Sequence, residues 1–388
     1  SLERAVSEIK KAEELYSLES RTFLESTGIY HFPLFCYLVD CGFNASIINP
    51  IITHSTKNGN IRKVKNDKID SKGIAKLGLS KDIPVSQFPA KLVLELRSLT
   101  RKYYDLTDER SAHINKLKGD LHTVFPQYLD VFCDVTGKTS TMILRQYGTP
   151  DKILRGHKKT MIEKISKASR KGLAKASERY EKLCAAANAA KTFGCQIDSI
   201  YFNIFLTLDL VEKLDSALDS ILNRIRQLIT FNKNEKFIQQ IKLLNTIPGV
   251  GFLTAVTIMC EIGDFSAFRN PKQLFAYFGL DPEVNESGKF VGTQLHMSKR
   301  GSRIARRAIF AVALASIRTK RNGEGINPYL RKYYELKSGQ KPKMVAIGAV
   351  MHKVCNIVFA VLRDEKAFEL RSPEEHCKQY QRPALAAA

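Results

Sequence analysis

The 388-residue sequence has no closely spaced pair of cysteines and no long apolar run. It also has fewer acidic residues than basic ones. Its eight cysteines are scattered and none forms a C-x-x-C pair, so neither a zinc site nor a disulfide framework is indicated. No apolar run approaches the roughly 18 residues of a membrane-spanning helix, and the charged N-terminal segment lacks a signal-peptide pattern. These absences predict a cytoplasmic protein with reduced thiols and no membrane partner.

Acidic residues are scarce, because 39 Asp and Glu stand against 61 Lys and Arg, for a net charge of +22. Such a charge favours a polyanionic partner, nucleic acid before an anionic membrane. Half of the excess positive charge lies in residues 298–343, which hold 13 basic and 2 acidic residues. Residues 155–182 hold 10 basic and 3 acidic residues. A surface that serves only solubility mixes positive and negative side chains. The concentration of positive charge in these two segments therefore predicts contacts with phosphate backbone.

The pattern of apolar residues divides the chain into four parts. Residues 1–110 indicate a mixed α/β domain, since strand-like runs alternate with helical ones and imply a partly parallel sheet. Residues 111–240 indicate a helical and coiled-coil region, and residues 241–370 a mainly α-helical domain. Residues 371–388 form a tail. The expected fold class is therefore α/β followed by α.

The clearest helical periodicity in the chain covers residues 204–228. Eight positions alternate at spacings of three and four, and seven of them are apolar, which is the pattern of a heptad seam. The eight positions are Ile204, Thr207, Val211, Leu214, Leu218, Ile221, Ile225 and Leu228. Such a seam packs within one chain, for example against residues 158–192, or it pairs protomers. We favour a homo-oligomer, a dimer or a tetramer.

A glycine-rich turn, Ile247-Pro-Gly-Val-Gly251, lies between two helical segments. It resembles the helix-hairpin-helix element, in which turn amides at a helix N-terminus meet a DNA phosphate. Gly249 and Gly251 are then candidate nucleic-acid contacts. The alternative is a tight turn between two helices with no ligand.

Three carboxylates in the first domain are candidate metal ligands. Asp67 and Asp70 are three residues apart, so a helix presents them on one face. Glu25 lies at the carboxyl end of a predicted strand, where open α/β sheets place their sites. Carboxylate oxygens suit Mg²⁺, a hard cation. The alternative is structural: Asn66 caps the helix, Asp67 and Asp70 complement its dipole, and Glu25 is a surface charge.

A polar loop with the pair Ser287-Gly288 precedes a helix start that is crowded with cations. Ser298 is suited to cap that helix and Ser302 to lie in its first turns, whereas Ser287 has no such use. A serine that attacks a phosphodiester requires neutralisation of the phosphate charge. The nearest cations in sequence are Lys289, Lys299, Arg300, Arg303, Arg306 and Arg307.

Several of these motifs occur together in the order and spacing of one family. They are Glu25-Ser-Thr-Gly-Ile-Tyr30, Asn49-Pro50, Asn66-Asp-Lys-Ile-Asp70, Ile247-Pro-Gly-Val-Gly251, Phe278-Gly-Leu-Asp-Pro282, Ser287-Gly288 and Ser298-Lys-Arg-Gly301. The chain resembles the transposases of the insertion-sequence one-ten family, the bridge-RNA-guided DEDD recombinases, over residues 22–362. The resemblance implies a RuvC-like, RNase H-fold domain, a helical coiled-coil insertion and a C-terminal transposase domain with a catalytic serine.

The resemblance also implies roles for individual residues. Glu25, Asp67 and Asp70 match the last three acidic ligands of the family, and Ser287 matches the serine. No Asp precedes Glu25, so the family's first ligand and its opening strand have no counterpart, and the RuvC-like domain is expected to be N-terminally incomplete.

The activity that the resemblance implies is cutting and joining of DNA through a covalent serine–DNA intermediate. Its cofactor is Mg²⁺, and its partners are double-stranded donor and target DNA and a structured guide RNA, at the nucleoid of a prokaryotic cell. Two alternatives from other classes stay open. One is a metal-dependent, junction-resolving nuclease in which Ser287 is a turn residue, and the other is a non-catalytic nucleic-acid-binding protein.

Overall fold

A computed structural model describes residues 2–25, 30–48, 67–80, 91–195, 197–233, 235–282, 286–287, 290–291 and 296–375. Within these ranges, the side chains of residues 67–69, 286–287 and 290–291 are not described. The chain divides into two compact units, residues 1–90 and residues 91–388. The described part is mostly helical, as expected for the regions after the first domain.

The first unit contains a parallel pair of strands. Its elements in chain order are α1 (Leu2–Tyr16), β1 (Arg21–Glu25), α2 (His31–Asp40), β2 (Asn44–Ile48) and α3 (Asp67–Ser80). Strand β1 pairs with β2 in parallel, with Arg21 opposite Asn44 and Glu25 opposite Ile48. This pairing confirms the expected parallel sheet.

The apolar residues of the first unit are spaced so that its helices cover the strand pair. Phe35 and Leu38 of α2 are three residues apart, and they pack with Val6 of α1 and Ala45 of β2. Helix α3 packs on β1 through Gly78, where a Cβ atom would come within 2.3 Å of the Phe23 ring. A side chain at residue 78 would therefore displace α3 from the strand.

The second unit begins with seven helices. They are α4 (Lys91–Val124), α5 (Tyr128–Val131), α6 (Lys138–Gln146), α7 (Pro150–Arg155), α8 (Lys158–Ser169), α9 (Gly172–Phe193) and α10 (Asp198–Phe231). The predicted domain boundary at residue 110 falls inside α4, a continuous 34-residue helix. The compact unit begins instead at Lys91, because the apolar face of α4 packs along α10.

The predicted heptad seam is the buried face of α10. Five of its eight positions are buried, and they pack within the chain against α4, with Arg110 of α4 paired to Asp215 of α10. The five are Ile204, Thr207, Val211, Leu218 and Ile225. The interpretation of this seam as an oligomer interface was therefore wrong. Any long helix with an apolar stripe satisfies a heptad pattern, and α4 supplies one.

The rest of the second unit packs around its last helix. The elements are α11 (Lys236–Leu244), α12 (Phe252–Ile262), a 3₁₀ turn (Phe265–Ala267), α13 (Pro271–Tyr277), β3 (Glu286–Ser287), β4 (Phe290–Val291), α14 (Arg303–Ile317), α15 (Pro328–Ser338) and α16 (Lys343–Asp364). Helix α16 contacts α11, α13, α14 and α15.

Helix α16 corrects the expectation that no segment reaches membrane-spanning length. Among the described helices it is the one that passes a test of length and composition, with a mean hydropathy of 2.0 over its best window. In the structure, 56% of that window is buried, and Val350, Val354 and Val358 lie in the core of the second unit.

Candidate active site

The backbone of Ser287 lies in a short antiparallel ribbon. Ser287 ends β3 and is opposite Phe290 of β4, while Glu286 is opposite Val291. The two residues that connect the strands, Gly288 and Lys289, lie outside the described residues. The predicted polar loop therefore contains a hairpin, and the candidate nucleophile occupies the last strand position before its turn.

The loop that carries this hairpin is closed at its base by hydrogen bonds between residues 279–282 and 297–299, which we call the loop clamp. Pro282 and Met297 form an antiparallel bridge. The Ser298 amide donates to the Asp281 carbonyl at 2.8 Å, and the Ser298 hydroxyl donates to the Asp281 carboxylate at 2.6 Å. The Lys299 amide donates to the Gly279 carbonyl at 3.0 Å. The clamp fixes where the loop leaves the helical core.

Two glycines allow the backbone segments at the clamp to touch. Gly279 has a φ of +67°, and a Cβ atom there would lie 2.4 Å from the Gly301 nitrogen. A Cβ atom on Gly301 would lie 1.9 Å from the Tyr277 carbonyl oxygen. No side chain fits between two backbones at these distances, so both positions require glycine.

Arg306, predicted to contact nucleic acid, is used inside the clamp. Its Nη1 atom donates to the carbonyl oxygens of Phe278, Lys299 and Gly301, at 3.3, 3.1 and 2.6 Å. Burial, followed by the nearby charge of Arg303, lowers the pKa of the Arg306 guanidinium. Arg306 thus joins α14 to the clamp.

Ser302, not Ser298, caps α14. The Ser302 hydroxyl accepts from the Ala305 amide at 3.2 Å and donates to Glu261 at 2.7 Å. The capping role predicted for Ser298 was wrong, because its hydroxyl is engaged by Asp281 and the helix begins only at Arg303.

A buried carboxylate holds this cap in place. Glu261 of α12 is 3% exposed and receives two hydrogen bonds from Arg101 of α4, at 2.8 and 3.0 Å. Arg97 donates to the Cys260 carbonyl at 2.7 Å, and the Tyr277 hydroxyl donates to the Glu261 carbonyl at 3.1 Å. The network ties α4, α12 and α13 to the start of α14.

Sequence analysis missed Glu261. It did contain a signal, because Glu261 is the one charged residue in the apolar run from Phe252 to Ile262, and a lone carboxylate in such a run needs a partner. Arg97 and Arg101 both lie in the long helix α4. Their spacing of four residues places both on one helix face.

Replacing Arg101 with methionine is expected to lower the free energy of unfolding by about 2–3 kcal/mol, since Glu261 would stay buried without its partner. The value is below that of a fully buried pair because the Arg101 side chain is 52% exposed. Urea unfolding at neutral pH measures the change. The matched control is Arg110→Met, because its carboxylate partner Asp215 is 46% exposed and the pair is worth about 1 kcal/mol or less. Equal losses in the two variants would contradict the assignment.

Acid is expected to weaken this network. Burial raises the pKa of the Glu261 carboxyl, but the hydrogen bonds from Arg101 and Ser302 outweigh it, so the pKa lies below its ordinary 4.5. A lowered pKa gives stability that is complete above pH 4.5 and is lost as the pH falls through the folded value. Below pH 4.5, the unfolding free energy of Glu261→Gln should therefore fall less steeply than that of the wild type. Parallel curves would contradict the prediction.

The other predicted cations surround the start of α14. Lys299 and Arg300 are exposed. The Arg303 side chain is 83% exposed and lies 3.6 Å from Asp108. Arg307 pairs with Asp108 at 2.8 Å, and its guanidinium stacks over the Tyr104 ring at 4.8 Å. Four of the six predicted cations thus lie at the surface beside the clamp, and Lys289 lies outside the described residues.

The predicted helix-hairpin-helix element consists of α11, the turn 245–251 and α12. Gly249 has a φ of +97°, and a Cβ atom there would lie 2.4 Å from the Ser316 hydroxyl, which itself donates to the Pro248 carbonyl. Gly251 is the N-cap residue of α12, and a Cβ atom there would meet no atom within 4 Å. Gly249 is thus used for packing, and Gly251 faces open space.

The predicted metal ligands lie in the first unit. Glu25 ends β1, and Asp67 and Asp70 lie in the first turn of α3, which packs against β1. The Asp67 side chain is not described. Among the described side chains, no group of three His, Cys, Asp or Glu residues is placed to hold a metal ion. The chemistry of the predicted set fits a hard cation, because all three members offer carboxylate oxygens.

Two family models match the chain. One, described as Transposase IS116/IS110/IS902 family, covers residues 241–335, which include the helix hairpin, the clamp and α14. The other, a DEDD transposase model of the IS110 type, covers residues 2–126, which include the three acidic residues.

Curated relatives match across the same regions. A 43.6 kDa protein of insertion element IS110 from Streptomyces coelicolor is 23% identical over 73% of this chain and 66% of its own length. A pilin gene-inverting protein from Moraxella bovis is 30% identical over 45% of this chain and 52% of its own. The transposase of insertion sequence element IS1111A from Coxiella burnetii is 26% identical over 47% and 50%. The chain thus spans about half to two thirds of the length of these relatives.

Proposed function

Because the chain belongs to the IS116/IS110/IS902 family of transposases, we propose that it cuts and rejoins DNA strands through a covalent serine–DNA intermediate. Ser287 is the nucleophile. Its hydroxyl attacks a backbone phosphate, the leaving deoxyribose oxygen takes up a proton, and one strand stays esterified to the serine. A second DNA hydroxyl then displaces the serine, which rejoins the strands.

One observation carries this proposal: Ser287 lies in a loop whose base is clamped beside a helix start with exposed cations. The clamp residues Ser298 and Lys299 lead directly into Arg300 and Arg303. Cations next to the attacked phosphate offset the charge that develops on its oxygens. The hydroxyls of Ser298 and Ser302 are engaged by Asp281 and Glu261, so neither is available as the nucleophile.

A divalent metal, with Mg²⁺ as the proposed ion, is the cofactor. Glu25, Asp67 and Asp70 would hold it through carboxylate oxygens. When bound, the ion supplies Lewis-acid stabilisation of charge on a phosphate oxygen. The role of the three residues is to bind that ion.

A structured guide RNA is the second proposed nucleic-acid partner, besides donor and target DNA. The basic segment 155–182 supports this part of the proposal, because it carries a net charge of +7 and lies outside the loop clamp. Target choice by base pairing requires the protein to contact mainly backbone and shape. The enzyme acts as an oligomer, dimer or tetramer, at the nucleoid in the cytoplasm.

The test is a covalent-adduct assay on the full chain. The chain is expressed with the DNA that flanks its gene, and any RNA that copurifies is sequenced. End-labelled flanking DNA is then incubated with the protein, that RNA and Mg²⁺, and the products are separated under denaturing conditions. A labelled band at the mass of the protein supports the proposal. Nicking without such a band supports a metal-only nuclease, and binding without cleavage supports a non-catalytic protein.

Arg303 is expected to contribute one phosphate contact. Replacing it with glutamine should lower the slope of log affinity against log salt by about one for double-stranded DNA. Fluorescence anisotropy at several salt concentrations measures the slope. The control is Arg145→Gln, because Arg145 is paired with Asp209 and Glu212 and should leave the slope unchanged. An unchanged slope for Arg303→Gln would remove this residue from the interface.

A further inference from the structure

A groove of about 430 Å³ runs beside the clamp, between α14 and α16, and we call it the methionine groove. Its floor is apolar and consists of Met297, Phe310, Met344, Ile347 and Met351. We infer that this groove accepts one unstacked base of single-stranded DNA. The volume lies within the range of pockets that bind small organic groups.

The rim of the groove carries positive charge, which attracts the phosphate of a nucleotide. Arg303 and Arg307 line it together with Asp108. The Arg303 guanidinium is 83% exposed, and Arg307 is held in position by Asp108 and by the Tyr104 ring. A nucleotide offers a flat, largely apolar base next to an anionic phosphate. The groove offers the matching pair, an apolar floor beside cations.

The floor is adaptable, which favours a base over a ligand of fixed shape. Three of the chain's six methionines line the groove, and Met344 is 65% exposed. Methionine is flexible and polarisable, and it suits surfaces that accept several partners. All four bases can therefore be bound. A second copy of this surface is disfavoured as the occupant, because the segment 298–343 carries 13 basic and 2 acidic residues and would repel itself.

The position of the groove connects it to the proposed reaction, and this step rests on the proposed function. Met297 lines the groove and is also part of the clamp, where it pairs with Pro282 at the foot of the loop that carries Ser287. Exchange of a cut strand separates the nucleotides next to the cut from their pairing partners. Such bases are the least costly to unstack, so a nearby apolar groove holds one of them in place.

Gly348 gives a direct way to fill the groove. It lines the groove from α16, and a Cβ atom at this position would meet no atom within 4 Å. Gly348→Ala therefore adds a Cβ atom without a clash, and Gly348→Leu extends the side chain further into the groove. The matched control is Gly119→Leu, since Gly119 also lies within a helix and its Cβ position is also open.

The experiment measures binding of the full chain to three probes by anisotropy. They are a single-stranded 12-mer of DNA, the same 12-mer with abasic sites at its centre, and a duplex. We expect Gly348→Leu to bind the intact 12-mer about tenfold more weakly than the wild type, with a smaller loss for Gly348→Ala. Binding of the abasic strand and of the duplex should change less than about twofold, and Gly119→Leu should behave as the wild type.

An equal loss on intact and abasic strands, or no loss on the intact strand, would overturn the inference. Circular dichroism and the retained duplex affinity exclude misfolding as the cause of a loss. A larger loss of affinity for an RNA 12-mer than for the DNA 12-mer on Gly348→Leu would overturn the assignment to DNA. The adduct assay separates this inference from the proposed function. Adducts without base discrimination refute only the groove, and base discrimination without adducts refutes only the serine mechanism.

Discussion

Replacement of Ser287 by alanine is expected to reduce the covalent protein–DNA product by on the order of a thousandfold or more, because the group that forms the bond is removed. Affinity for DNA should stay within about twofold, since the cations beside the clamp are retained. Denaturing gels with end-labelled DNA measure the adduct, and anisotropy measures affinity. An adduct that survives the substitution would exclude Ser287 as the nucleophile.

The sequence allows the attachment site to be mapped directly. Trypsin cleavage after Lys272 and Lys289 releases residues 273–289, in which Ser287 is the one serine, whereas Ser298 falls in the next peptide. Mass spectrometry should find the nucleotide remnant on the first of these peptides. Ser298→Ala and Ser302→Ala are the matched controls and should keep the adduct, while Ser302→Ala loses about 1 kcal/mol of stability with its helix cap.

Gly301→Ala is expected to open the clamp. Its Cβ atom would lie 1.9 Å from the Tyr277 carbonyl oxygen and 2.7 Å from the Gly279 nitrogen, so one of the two backbones has to move. Overpacking of this kind costs about 1–3 kcal/mol or more. The displacement also removes carbonyl partners of Arg306. We expect a lower melting temperature and a loss of adduct of about 100-fold, since misplacement of the hairpin by about 1 Å is sufficient.

The control for Gly301→Ala is the same substitution at an open helical position. Gly119→Ala meets no atom within 4 Å and should raise the unfolding free energy by about 0.5–1 kcal/mol, because alanine favours helix. Thermal unfolding and the adduct assay are run on both variants. Full adduct formation by Gly301→Ala would show that the hairpin is positioned without the clamp.

Features of the fold that depend on local patterns could be predicted from the sequence. The parallel pairing of β1 with β2 follows from the alternation of strand-like and helical runs, and the buried face of α10 follows from its heptad spacing. The partner of that face could not be predicted. The spacing describes one surface of one helix, and the complementary stripe on α4 lies roughly 100 residues earlier in the chain.

The candidate site shows the same division between local and distant contacts. Sequence analysis singled out Ser287 and the cations that follow it from residue type and neighbourhood, and their roles stay predictions. It assigned the helix cap to Ser298 instead of Ser302, because either serine suits a helix start. The choice is made by Asp281 and Glu261, which engage the two hydroxyls from other parts of the chain. Contacts of this kind leave no periodic trace in a sequence.

The pairing of α4 with α10 has a mechanical consequence. Each helix has 34 residues and is therefore about 50 Å long. Leu96 and Ile225 belong to the core that contains Leu280 of the loop clamp, whereas Leu117 and Ile204 belong to the core beneath the basic helices α8 and α9. The pair acts as a strut that holds two charged surfaces at a set spacing. The named core residues are 21 positions apart on each helix, or roughly 32 Å, which corresponds to about nine base pairs of duplex.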